Sequence, residues 1–138
     1  ELELSMNRAA EQAAPRAKDI FVDAVKKMTI TDAKNILYGK NDNEATLFFE
    51  KHTRPSLFTL FFPVMKATLD KVGVTKAYKY LIDQYNTLPL VEKITYDLDS
   101  YATNKALDGL FLMISHEEAR IRKDPAARVT DLLKKVFK

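Results

Sequence analysis

Apolar residues recur along most of the chain at spacings of three and four, the period of a helix with one buried face. There are three glycines, at 39, 73 and 109, and helix-forming residues dominate nearly every window, so the pattern predicts an all-α fold. A first helix should run from Leu2 to about Met28, with Ile20, Val22 and Val25 among its apolar positions and Pro15 expected to kink or restart it. Thr31 is placed to cap a short helix through Tyr38, which Gly39 can close. Asn41-Asp42-Asn43 offers a turn and the cap of a third helix carrying Leu47, Phe48 and Phe49.

Arg54-Pro55 reads as punctuation, and Ser56 to Lys71 follows as a separate helix, kinked at Pro63, with Phe58, Phe61 and Phe62 on a dense aromatic face. Thr75 to about Thr87 makes another helix, with Tyr78, Leu81, Ile82 and Tyr85 on one side and Pro89 as its stop. Leu90 to Leu98 alternates like a strand, but a lone strand has no partner, so an extended connector is expected. Asp99 or Ser100 then caps a helix to about Asp124, and Pro125 separates it from a terminal amphipathic segment, Ala126 to Phe137. Together these elements predict one domain over residues 1–138, a single compact multi-helix bundle of seven or eight helices.

Composition narrows the function classes. An apolar share of 46% and a charged share of 30% in 138 residues suffice for a core without staples. Lys plus Arg number 22 against 19 Asp plus Glu, an imbalance too small to form a basic stripe, so no nucleic-acid partner is expected. The absence of cysteine excludes disulfides, thiol nucleophiles and thiolate metal sites. The longest nearly apolar run, Leu57 to Met65, is broken by Thr59 and Pro63 and falls far short of the ~20 residues that span a bilayer, so no transmembrane segment is expected in this sequence. The chain opens at Glu1 in what already reads as helix interior, which suggests the C-terminal part of a longer precursor.

Two charged constellations could carry chemistry. Ala106 to Ile114 is apolar except at Asp108, the pattern of a central helix surrounded by others. A buried carboxylate there must be paired, and Lys105 and Tyr101 lie on preceding turns of the same face. The three either line a polar patch of a pocket or form a structural salt bridge. Gly109 costs about 1 kcal/mol inside a helix, which points to a close crossing at that position.

The second group is His116-Glu117-Glu118, followed by Arg120, Arg122, Lys123, Asp124 and Arg128. A zinc-protease helix requires a second histidine four residues after the first, and Arg120 stands there. Adjacent carboxylates diverge by about 100° on a helix, so Glu117 and Glu118 are not a facing glycosidase pair, and di-iron Glu-x-x-His motifs are missing. Glu118 with Arg122 and Glu117 with Arg120 instead read as ion pairs on a solvated face, and Asp124 with Arg128 as a contact fixing the last bend. Phosphate loops and nucleophile elbows are also absent, so no catalytic residue, metal site or cofactor is expected. Phe58, Phe61, Phe62 and Met65 are either plain core or the wall of an apolar pocket. The basic amphipathic stretch Asp131 to Lys138 could touch anionic lipid or pack back on the domain.

Several strings carry a resemblance. They are Ser5-Met6-Asn7-Arg8-Ala9-Ala10-Glu11, Lys71-Val72-Gly73-Val74-Thr75 with Ala77-Tyr78, and above all Lys105-Ala106-Leu107-Asp108-Gly109-Leu110-Phe111 after Leu98-Asp99, Tyr101 and Thr103. With Glu117-Glu118, Ile121-Arg122, Asp124-Pro125 and Leu132 to Phe137, they make the chain resemble the bacterial family known as domain of unknown function 4197 over essentially its whole length. Members look like exported proteins of Gram-negative bacteria, with an N-terminal signal or lipoprotein segment ahead of the part seen here. The resemblance thus implies a periplasmic setting and allows a membrane anchor through a preceding segment, and it brings no activity with it.

Three functional readings follow. The first is a non-enzymatic periplasmic helical module that binds an envelope protein through the charged Glu117 to Arg128 surface. The alternative is a carrier of a lipid-like ligand, with Phe58, Phe61, Phe62 and Met65 as wall and Tyr101, Lys105 and Asp108 holding a polar head. The third is a hydrolase centred on Asp108 and Glu117, for which neither nucleophile nor oxyanion donor can be named.

Overall fold

A computed structural model describes residues 2–95 and 97–124. The described residues form five helices and no strand: α1 (Leu2–Lys26), α2 (Ile30–Tyr38), α3 (Glu44–Lys71), α4 (Val74–Asn86) and α5 (Leu98–Lys123). The fold is all-α, as the periodicity predicts. The expected count of seven or eight is corrected to five among the described residues, outside which Arg128 and the Ala126 to Phe137 segment lie.

Proline accounts for much of the difference. α1 continues through Pro15, and α3 continues through Pro55 and Pro63, merging two expected helices into one of 28 residues. An interior proline removes a hydrogen bond to the carbonyl four residues earlier. All three prolines are exposed, and so are Glu11, Lys51 and Thr59, whose carbonyls are freed, so water can replace the missing donors.

The caps are also shifted from expectation. Thr29, not Thr31, begins α2: its hydroxyl accepts from the Asp32 N–H at 3.1 Å, and Asp32 accepts from the Thr29 N–H at 2.9 Å, a reciprocal capping box. Asp97 begins α5, its carboxylate accepting from the Ser100 N–H and hydroxyl. α4 matches its expected span, preceded by Gly73 in the left-handed region at φ 75°. The connector after α4 is irregular, and the Asn86 side-chain amide clamps it, donating to the Ile94 carbonyl and accepting from the Ile94 N–H.

α3 is the central element, packed against each of the other four helices. Its buried residues Thr46, Thr53, Leu57, Met65 and Leu69 fall on one stripe. Ala17, Leu57, Leu107 and Phe111 form the centre of the core, and Phe21 joins the layers by edge-to-face contacts with Phe49 and Phe111. Polar contacts fix the α3 and α5 register. Ascending α3 from Thr46 through Arg54 to Lys66, the partners descend α5 from Glu118 through Asp108 to Asp99, so the two helices run antiparallel. Thr53 and Thr103 are fully buried, and each returns its hydroxyl to the carbonyl four residues earlier, Phe49 and Asp99 respectively.

This geometry overturns the reading of Ala106 to Ile114 as a helix covered all round. Leu107 and Phe111 are buried, but Leu112 is 57% and Met113 72% exposed. α5 therefore has a wet side, and Asp108 and Gly109 lie on exposed positions. A Cβ added at Gly109 meets nothing within 4 Å, so no close crossing explains that glycine. Gly39 shows the contrary case, because a Cβ there would fall on the Asn35 carbonyl and the Glu44 side chain.

Candidate functional site

Asp108 is not the buried acid. Its side chain is 51% exposed and accepts from the Arg54 guanidinium at 2.7 Å, while Lys105 stands farther off at 3.8 Å. Arg54 also binds Glu50 and the backbone and side-chain oxygens of Asn104, so it bridges α3 and α5 at the surface. Tyr101 is exposed too, with the Lys105 ammonium 5.6 Å from its ring centre. The polar trio thus assembles, but on an exposed side of α5 and around a partner that the sequence reading missed. Arg54 was hard to find because its link to Asp108 spans 54 residues and leaves no local spacing signal.

Glu118, read as part of a solvated face, is the acid that the fold buries, at 8% side-chain exposure. Its carboxylate accepts from the Ala45 N–H at 2.9 Å, the Thr46 N–H at 2.8 Å and the Thr46 hydroxyl at 2.7 Å. These amides open α3, and Asn43, which precedes the helix, makes no side-chain cap. A glutamate from another helix therefore acts as the missing cap and places negative charge at the helix N-terminus.

Arg122 completes this corner. Its guanidinium donates twice to Glu118 and once, at 2.6 Å, to the Ile36 carbonyl near the end of α2. Lys123 pairs with Asp42 in the α2–α3 turn at 2.7 Å. Burial pushes the Glu118 carboxyl up, yet the Thr46 hydroxyl, the two amides and Arg122 together hold it below the ordinary glutamate value. Glu117 pairs with Arg120 on the surface, as expected from their spacing, and Asp124 follows α5 at an exposed position. Glu118 and Arg122 are thus consumed by the architecture of a helix corner.

A large concavity among the described residues lies elsewhere. α1 and α5 flank α3 and leave between them an open groove of about 800 Å³. Its floor includes Ala17, Met65 and Leu107, all buried. α1 adds Ala10, Ala14, Val22 and Val25 along one wall, and Ala106 and Leu110 line the α5 side. Phe61 and Met65, named from the sequence as pocket wall, do line it. Phe58 and Phe62 do not; their rings stack on each other 5.4 Å apart. Glu11, Lys18 and Lys26 are the charged residues at its edge, whereas Tyr101, Lys105 and Asp108 are not among its lining residues. A smaller recess between α1 and α3 holds Asp23, His52 and Ser56. Among the described residues no group of three or more His, Asp or Glu side chains gathers where a metal could be held.

A family model described as protein of unknown function (DUF4197) matches residues 1–138, the whole chain. The chain belongs to that family. The match accords with the resemblance carried by the Lys105 to Phe111 string, which within this member of the family supplies both the groove residues Ala106, Leu107 and Leu110 and the Arg54 partner Asp108. No curated protein and no solved structure matches the chain. No described helix is long and apolar enough to cross a membrane.

Proposed function

We propose that this chain is a non-enzymatic helical binding module of the periplasm that holds an apolar small-molecule ligand in the groove between α1 and α5. The observation that carries the reading is the groove itself. At about 800 Å³, with walls of Ala, Val, Phe, Met and Leu, it falls in the range of about 300–1,000 Å³ typical of ligand sites. Its floor is built from the same stripe that forms the core, so the walls are held in place by packing rather than by the ligand. The missing catalytic motifs support a binding role, and the exported character of the proteins this chain resembles supports the periplasmic setting.

A reading as a module for an envelope protein rests on the exposed Glu117, Arg120 and Lys123, since Glu118 and Arg122 in the same charged segment are turned inward to the α2–α3 corner. An environment-sensitive apolar dye tests the proposal. Saturable one-to-one binding is expected, weakened at least tenfold by Ala14→Phe, which fills the groove from an exposed position and leaves thermal unfolding unchanged. Absence of saturable binding, or binding indifferent to that substitution, would dismiss the groove as a ligand site.

A further inference from the structure

The edge of the groove carries an asymmetry that points to the kind of ligand. On α1, Ala10, Ala14, Lys18, Val22 and Lys26 recur at every fourth position, and all five line the groove. The N-terminal half of this line is small and uncharged, whereas the C-terminal half alternates lysine with valine. Lys18 and Lys26 are about 12 Å apart along the axis, two turns with Val22 between them. Both side chains are long and exposed, so their ammonium groups can converge above Val22. Among the described residues neither lysine is engaged in an ion pair. The one acid of the edge, Glu11, stands seven residues before Lys18, at the far end of the line.

We infer that the groove takes a free single-chain amphiphile with an anionic headgroup. The acyl chain lies over the Leu107 and Met65 floor toward Ala14 and Ala10, and the head sits between Lys18 and Lys26. This rests on the apolar-ligand reading above and adds the ligand class and the residues that select it. The concave form of the site favours a molecule withdrawn from a bilayer over attachment to the bilayer surface, which calls for a projecting apolar face.

The test uses the 138-residue chain and three probes of equal chain length below their micelle concentrations: oleate, oleyl alcohol and oleyl trimethylammonium. Each displaces the apolar dye, and binding is confirmed by titration calorimetry. Oleate is expected to bind about tenfold more tightly than the alcohol and the cation more weakly still, as two exposed charge contacts allow. Lys18→Gln with Lys26→Gln should abolish the preference for oleate while leaving the alcohol's affinity unchanged.

Equal affinity for oleate and alcohol, or a preference that survives the double substitution, overturns the headgroup assignment and leaves the apolar groove standing. Failure of all three probes to bind overturns the groove reading as well. Pelleting of the chain with anionic vesicles without binding of free oleate assigns the surface to a membrane and overturns the proposal. A concentration-dependent dimer in sedimentation that Ala14→Phe dissociates assigns the groove to a second copy of the chain, with the same consequence.

Discussion

The Glu118 carboxylate accepts a hydrogen bond from the Thr46 backbone N–H at 2.8 Å, across 72 residues of chain, and thereby caps a helix to which it does not belong. The same carboxylate takes the Thr46 hydroxyl and holds Arg122 against the end of α2. Three helices meet on one side chain.

Removal of that side chain should be costly. Glu118→Ala strands two amide donors of α3 and removes the carboxylate that accepts from Arg122, so a loss of about 2–4 kcal/mol is expected in chemical denaturation. Arg122→Ala should cost less, since Glu118 keeps its amide donors. In a double-substitution cycle the two effects should be clearly non-additive. A loss below about 0.5 kcal/mol for Glu118→Ala would show that the corner is not held in this way.

The same corner sets an acid limit. The folded Glu118 pKa lies below the ordinary 4.5, so its stabilisation is fully present above that pH and is lost as pH falls through the lowered value. Asp32, Asp42 and Asp97 are lowered in the same direction by their own hydrogen bonds, but all three are solvent-screened. Unfolding free energy measured from pH 6 down to pH 2 should therefore fall below about pH 4.5, and the fall should be shallower in Glu118→Gln. An identical slope in both proteins would remove Glu118 as the responsible group.

Asp108 should matter far less for stability than its apolar neighbours suggest. Asp108→Asn keeps the shape and loses the half-exposed ion pairs with Arg54 and Lys105, for which a cost under about 1 kcal/mol is expected. A loss of several kcal/mol, as for a buried pair, would contradict the exposed placement.

Gly109 and Gly73 should respond in opposite directions. Gly109→Ala, inside α5 with open space around it, is expected to stabilise by roughly 0.5–1 kcal/mol. Gly73→Ala forces an L-residue to φ 75° and should destabilise by a similar or larger amount. Thermal unfolding of both variants checks the contrast, and destabilisation by Gly109→Ala would reveal a crowded environment that the structure does not contain.

What could be read in advance was local. The span of α4 and the Glu117–Arg120 and Glu118–Arg122 pairs depend on neighbours within four residues, and all are found. Helix number was missed because proline was weighed as a breaker, whereas its cost depends on whether the freed carbonyl is wet. Asp108 and Glu118 exchanged places for a related reason: periodicity identifies an apolar face without showing which neighbour covers it. Phe61 and Met65 were found for the groove, but the alanines of α1 carry no signal of their own until α3 and α5 are laid beside them.

The cap on α3 also has a consequence in time. A polypeptide emerges from the ribosome from its N-terminal end, at about 5–20 residues each second. The opening turn of α3 is complete at Thr46, but the carboxylate that seals it belongs to a residue made 72 positions later. For several seconds of synthesis the central helix has an unsealed end. Its start can become rigid only after α5 has been made, so the last described helix finishes the work of the third.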